Sequence, residues 1–300
     1  MMTYDFLIVG AGPAGCVLAE RLACGSGQKV LLIERRDHLA GNAYDYVNEE
    51  GLFVQRYGPH IFHTTMKRVW DYLNRFTEWN DYVHRVLARV NDKLVSLPIN
   101  LETMEQLYDR SFTSDQLKAW FEQRKVSVES IENARDVVVS QVGEELYELF
   151  FRNYTKKQWG LDPEQLAAEV TRRLPVRYDR DTRYFADPYQ GLPREGFTAL
   201  FERMISHPNI TVRLDTEYPR DTASQKYRQL IYTGPIDAFF DYACGPLPYR
   251  SLVFEFATLD AEWFQPVGVL NYPNEEDYTR ITEFKHLYCQ PHPKTTVCYE

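Results

Sequence analysis

The stretch FLIVGAGPAGCVLAERLACGSGQKVLLIERRDHLAGN, residues 6–42, decides the architecture of this chain. An apolar run, Tyr4 to Val9, halts at Gly10, and from Cys16 to Cys24 apolar residues recur at helical spacing. Val30 to Ile33 reads as a second buried strand. Strand, turn, helix and strand in that order predict a parallel sheet. Gly10, Gly12 and Gly15 stand as G-x-G-x-x-G at the mouth of the helix. Gly10 permits the tight turn, Gly12 lets backbone approach a pyrophosphate, and Gly15 lets helix and strand pack closely. The helix N-terminus, at Pro13 and Ala14, then turns free N–H groups toward phosphate oxygens. Glu34 closes the second strand, where a carboxylate accepts hydrogen bonds from ribose hydroxyls. A glycine triplet alone also marks ordinary turns. Triplet, strands, helix and terminal acid together point to a dinucleotide-binding fold.

After Glu34 the chain runs Arg35, Arg36, Asp37, His38, Leu39, Ala40, Gly41, Asn42. This continuation resembles the extended fingerprint of FAD-binding oxidases and hydroxylases, in which an arginine and two glycines follow the acid. Ala40 stands where the first of those glycines is expected. An NAD dehydrogenase has no need of the continuation, so FAD is the expected cofactor, with Arg35 and Asn42 among its contacts.

The composition, 44% hydrophobic and 26% charged, is that of a globular chain. A formal charge of −9 argues against a general nucleic-acid binder, which needs counterion-releasing basic surface. The cysteines, Cys16, Cys24, Cys244, Cys289 and Cys298, are odd in number and form no C-x-x-C pair. Reduced thiols in a cytoplasmic protein are the expectation. Phe6 to Ala19 carries no charge, but it is too short for a membrane span and is interrupted by glycine and proline. No basic leader precedes it, so a soluble protein is expected.

The expected fold class is α/β: an FAD-binding Rossmann-like parallel-sheet domain, a helical insertion and an antiparallel β-sheet domain. Residues 1–65 and 190–240 are assigned to the discontinuous FAD-binding domain, with a helix over Phe197–Ile205 and strands over Ile210–Leu214 and Leu230–Tyr232. Residues 101–172 are assigned to the helical part. There Thr113 or Ser114 caps SFTSDQLKAWFEQRK, and Val142, Leu146, Leu149 and Phe150 form one apolar stripe. Residues 66–100, 173–189 and 241–300 are assigned to the sheet and substrate domain. Period-two alternation from Ser251 to Tyr299 predicts antiparallel strands, with Tyr278, Arg280, Thr282 and Phe284 on one strand face.

YGPHIFHTT, residues 57–65, places two of the seven histidines within four positions. Strand alternation, a metal pair and a cofactor-pocket wall all fit that spacing. Gly58-Pro59 disfavours a helix through His60, and no acid or cysteine sits at matching spacing, so no metal is expected. A histidine hydrogen-bonded in an irregular segment is the plainest reading of the residues alone.

AGNAYD, YGPHIFHTT, SLPINLETMEQLY, NYTKKQWG, RLPVRYD, RYFADPYQGLPREGF and LNYPNEEDYTRITEFKH, in that order, resemble the bacterial UDP-galactopyranose mutases almost from end to end. The resemblance implies a flavoenzyme of galactofuranose supply for cell-wall polysaccharide, interconverting UDP-galactopyranose and UDP-galactofuranose. It further implies reduced FAD with N5 as nucleophile at the anomeric carbon, no net redox change, NADPH as reductant, and a homodimer or higher oligomer. His60, with Ile61, is implied beside the isoalloxazine ring, and His63 is left a structural role. Arg173 and Arg280 are the implied diphosphate arginines, Arg173 on an implied mobile loop near 160–177. Tyr184 and Phe185 are implied at the uracil, Tyr154, Thr155 and Trp159 at sugar and phosphate, and Asn271 and His84 as further contacts. Family members continue past the point where this chain stops, Glu300. The expectation drawn from that is a chain lacking the C-terminal part of the FAD domain, retaining little FAD and showing negligible activity. Two rival readings share the fingerprint: an FAD-dependent amine-oxidase-like oxidoreductase, and a truncated noncatalytic FAD- or nucleotide-binding module.

Overall fold

A computed structural model describes residues 3–172, 175–222 and 225–300. The chain groups into two units, residues 1–81 with 191–251 and residues 82–190 with 252–300. Residues 66–81, expected with the antiparallel sheet, fall in the first unit, and the helical segment shares the second unit with that sheet.

The first unit is built on four parallel strands in the order Lys226–Tyr232, Thr3–Val9, Val30–Ile33, Ile210–Arg213. Leu7 aligns with Leu31 on one side and Leu230 on the other. Every residue of Val30–Ile33 is buried, which explains its unbroken apolar reading: a parallel strand covered on both faces has no polar side to alternate. Helix Pro13–Ser26 ends at Gly27, whose left-handed backbone (φ 67°) returns N–H groups to Ala23 and Leu22 carbonyls. Helix Gly196–Ile205 packs against it. Its N-terminus is capped from far away in sequence by the buried Asp45 carboxylate, which accepts from Phe197 N (2.6 Å) and Thr198 N (2.9 Å).

The second unit carries a six-stranded sheet: Glu255–Leu259, Thr295–Tyr299, Arg280–Glu283, Val269–Asn271, Val86–Val90, Lys93–Leu97. Its pairs are antiparallel except one. Val269–Asn271 runs parallel to Val86–Val90, so the sheet is mixed rather than purely antiparallel. The hairpin joining Val86–Val90 to Lys93–Leu97 turns on Asn91 and Asp92, both at positive φ, as a tight two-residue turn of primed type demands. The alternation from Ser251 to Tyr299 is interrupted, and Phe284 starts the short helix Phe284–Tyr288 instead of extending the strand. A helical layer buries Met104, Leu117, Phe121, Val139, Leu146 and Tyr147 together. Capping boxes open two of its helices, Asn100 with Thr103 and Thr113 with Gln116, so Thr113 and not Ser114 is the cap.

The stripe read through Val142, Leu146, Leu149 and Phe150 does face one core, the first, second and fourth buried in it and Leu149 packed against it, but the helix that carries it is divided. Val142 ends one helix at Gly143 (φ 83°), whose Cβ would lie 2.4 Å from the Arg124 carbonyl oxygen. Glu144–Tyr147 comes next, then a π-helical turn at Glu148–Arg152, then helix Asn153–Trp159. Such a turn adds a residue to the helical repeat and re-aims the side chains beyond it. Among the described residues no helix is long and apolar enough to cross a membrane.

Candidate functional site

In the first unit, the glycine loop leaves no room for side chains. A Cβ on Gly15 would sit 1.9 Å from the Gly10 carbonyl oxygen, and one on Gly10 (φ 101°) would sit 2.3 Å from Thr233 Oγ1. Gly12 is the N-cap of helix Pro13–Ser26 and offers no side chain to its N–H groups, and Pro13 occupies the first turn. Gly41 (φ 56°) backs onto Gly12, and a Cβ there would come within 3.0 Å of the Gly12 Cα. Two glycines back to back and an uncapped helix start form a cradle fitted to a pyrophosphate, so the residues present fit FAD. Ala40 holds a left-handed backbone (φ 68°) and donates its N–H to Ala11 O, which is how alanine is accommodated where a glycine was expected.

Glu34 is buried and buckles the loop to the strand. Its Oε2 accepts from Ala11 N at 2.9 Å and its Oε1 from Arg36 N at 3.0 Å. Each oxygen keeps a further lone pair for a ribose hydroxyl. Arg35 is exposed. Its neighbour Arg36 is the arginine that meets Asn42, donating to Oδ1 at 3.1 Å, with its guanidinium 4.6 Å from the centre of the Tyr57 ring.

His60 lies in an irregular segment held by Gln55, a residue the sequence did not single out. The fully buried Gln55 side chain accepts from His60 N (2.5 Å) and donates to His60 O (3.1 Å), imitating a strand partner. His60 Nδ1 lies 3.0 Å from Gly58 O, and since a carbonyl only accepts, Nδ1 is the donor of that contact. His60, Ile61 and Phe62 line an apolar cavity of about 580 Å³, with Val17, Leu200 and Trp79 among the other walls. Neither the glycines of the loop nor Glu34 belong to it, so it suits an apolar group beside the cradle rather than phosphate. His63 is exposed and stands on strand Phe62–Thr64.

In the second unit, Tyr154, Thr155, Trp159, Tyr184, Asn271 and Arg280 share one cavity of about 90 Å³. The first three come from helix Asn153–Trp159, just after the π-helical turn. Asn271 and Arg280 face each other across two paired strands. Asn271 Oδ1 and Arg280 Nε are buried without hydrogen-bond partners, an acceptor and a donor left open beside the same space. Arg280 Nη2 lies 2.8 Å from Glu300 Oε1, an ion pair that leaves Arg280 Nε open. His84 and Phe185 are not in the cavity wall. The His84 carbonyl accepts from Tyr184 N (2.7 Å), and its ring stacks on Phe185 and meets Tyr184 edge-on, so His84 props the aromatic pair from behind.

Arg173 lies outside the described residues. Its neighbours are largely spoken for: Arg180 is bidentate to Glu105, Arg183 to Asp181, and Arg172 contacts Glu169.

Comparison with known proteins is consistent along the whole chain. The family model described as UDP-galactopyranose mutase matches residues 149–300, and one described as an NAD(P)-binding Rossmann-like domain matches residues 8–76. A Klebsiella pneumoniae protein named "Probable UDP-galactopyranose mutase" is 39% identical, covering 100% of this chain and 78% of its own length. A dTDP-fucopyranose mutase of Escherichia coli is 36% identical, covering 98% of this chain and 80% of its own. A crystal structure of reduced UDP-galactopyranose mutase superimposes with TM-score 0.77 at 17% identity, over 100% of this chain and 73% of the other, and so bears on the fold alone.

Proposed function

The chain belongs to the UDP-galactopyranose mutase family of isomerases, and from that premise we propose that it interconverts UDP-galactopyranose and UDP-galactofuranose with bound FAD. One observation carries the substrate half of the reading: Asn271 Oδ1 and Arg280 Nε, both buried and unpaired, border a cavity walled by tyrosine and tryptophan. A nucleoside diphosphate supplies what each lacks, oxygens for the guanidinium and donors for the amide. When bound and reduced, FAD would supply the nucleophile for the anomeric carbon, its N5 nitrogen, without net oxidation, with NADPH as the proposed reductant.

The residues of the chain then divide the remaining work. Arg280, joined by Arg173, balances charge on the departing diphosphate. Tyr184 offers the base an aromatic ring from the cavity wall, with Phe185 and His84 packed against it to fix its orientation. Tyr154, Thr155 and Trp159 border the sugar. His60 meets the flavin side with its Nδ1 proton already committed to Gly58, which fixes the plane of the ring there. The cavity is smaller than the roughly 300–1,000 Å³ of ordinary ligand pockets, so its walls part to admit a nucleotide sugar.

Replacing Arg280 with alanine tests this. Loss of a charge-assisted contact of about 1.5–3 kcal/mol lowers kcat/KM by roughly ten- to a hundredfold while FAD content is unchanged. A wild-type rate at limiting substrate removes Arg280 from the site. The Escherichia coli relative favours a second reading, in which dTDP-fucopyranose is the sugar nucleotide. The ratio of kcat/KM values for the two substrates decides between them. Net substrate oxidation with oxygen as acceptor would point instead to the oxidoreductase reading.

A further inference from the structure

Lys157 stands on the same helix as Tyr154, Thr155 and Trp159 but is not in the cavity wall. Its Nζ donates to three backbone carbonyls: Tyr272 O at 2.5 Å, Glu276 O at 2.9 Å and Tyr278 O at 3.0 Å. An ammonium has three N–H groups, and all three are used. The carbonyls belong to one loop, Tyr272–Thr279, which connects the strand ending at Asn271 to the strand beginning at Arg280. Tyr272 N to Thr279 O (2.8 Å) closes that loop directly above the Asn271–Arg280 pair. A second tie runs alongside, from Asn153 Nδ2 to Asn274 Oδ1 and from Asn274 Nδ2 to Leu149 O.

We infer that Lys157 is a positioning residue for nucleotide-sugar binding: its ammonium pins loop Tyr272–Thr279 to helix Asn153–Trp159, so that Asn271 and Arg280 are held in register with Tyr154, Thr155 and Trp159. The inference rests on the reading of this cavity as the diphosphate-sugar site. Lysine suits the task better than arginine, because three rotatable donors on one atom can converge on three carbonyls, whereas a planar fork spreads its donors apart. The nearby charges are consistent with a held cation. Glu276 and Asp277 lie on the loop itself, and Glu276 also approaches Arg89 of strand Val86–Val90. Burial draws the Lys157 pKa below its ordinary value, and these two acids oppose that shift.

The test uses the FAD-loaded full chain, with UDP as the binding probe, and compares wild type, Lys157→Met, Lys157→Arg and Arg280→Ala. UDP affinity, kcat, KM, FAD content and Tm are measured on each, with binding measured well below the lowest Tm. Lys157→Met is expected to weaken UDP binding about tenfold or more and to lower kcat/KM in step, with FAD content unchanged. Lys157→Arg, which keeps the charge but spreads its donors apart, should fall between Lys157→Met and wild type in UDP affinity and kcat/KM. A Lys157→Met protein of lowered Tm but wild-type UDP affinity and kcat/KM would show a merely structural staple and overturn the inference. Should Lys157→Met not fold, Lys157→Gln makes the same comparison. Arg280→Ala separates the two levels: if it loses UDP and Lys157→Met does not, the Lys157 inference alone fails. If wild type and Arg280→Ala bind UDP equally, the reading of the cavity fails and the inference with it.

Discussion

A methyl group on Gly15 would meet the Gly10 carbonyl oxygen at 1.9 Å, and neither partner can swing away, because both are backbone. Gly15→Ala is therefore expected to cost about 3 kcal/mol and to expel FAD, read as a lower Tm and loss of flavin absorbance on purification. Gln55 is the complementary case, a side chain doing the work of backbone. Gln55→Glu keeps the acceptor for His60 N and removes the donor to His60 O, setting a carboxylate oxygen against a carbonyl. A loss of about 1–3 kcal/mol is expected, with a shifted flavin spectrum as the sign that His60 has moved. An unchanged spectrum would show that His60 holds its place unaided. The glycine is readable from a motif because its requirement is local. The glutamine is not, because nothing in VQRYGPH marks which side chain will turn back onto the histidine backbone.

Between elements, the buried Glu20 of helix Pro13–Ser26 accepts from Arg21, from Tyr72 Oη (2.7 Å) on helix Lys67–Leu73, and from Arg75 (3.2 Å) beyond it. Burial would raise the Glu20 pKa, but hydrogen bonds from Arg21 and Tyr72 and the charge of Arg21 outweigh it and bring the pKa down to about 2. A depressed carboxylate pKa stabilises the fold above the unfolded value, near 4.5, and that stability drains away as pH falls toward 2. Both arginines are about half exposed, so solvent screening limits the contribution to about 2 kcal/mol. Glu20→Gln should therefore lower Tm at neutral pH and flatten its decline between pH 4.5 and 2. Parallel Tm–pH curves for the two proteins would refute the linkage. At the same scale, the strand ending at Ile33 was plain from its apolar run. The division of helix near Gly143 was not, since the packing of that glycine against the Arg124 carbonyl is a long-range demand.

For the whole molecule, the proposed chemistry makes flavin a reagent that is regenerated at every turnover. Conversion of UDP-galactopyranose should start only after reduction by dithionite or NADPH, continue for many turnovers, and leave the flavin reduced. Rigorous exclusion of reductant from oxidised enzyme should abolish it. Steady turnover under that exclusion would sink the proposal, and one flavin oxidised per product formed would favour an oxidoreductase. The same assay run with dTDP-fucopyranose ranks the two sugar nucleotides.

The amino-acid sequence by itself determined whatever depends on neighbours along the chain. The parallel opening of the first unit comes from two apolar runs and a glycine triplet, since a tight turn, a close approach and a helix start are all requirements on adjacent residues. The same holds for the capping boxes, whose partners are three positions apart. Tertiary structure alone decided the rest. It set Asn271 opposite Arg280, placed Val269–Asn271 parallel to Val86–Val90, and turned Phe284 into a helix where alternation promised a strand. It also brought Arg36 onto Asn42, six positions along the chain. The reason is physical: strand pairing, burial and hydrogen bonds to carbonyls are satisfied by whichever groups the folded chain brings within about 3 Å, and a linear pattern holds no record of that distance. Lys157 shows it most plainly, its three partners lying more than a hundred positions away along the chain.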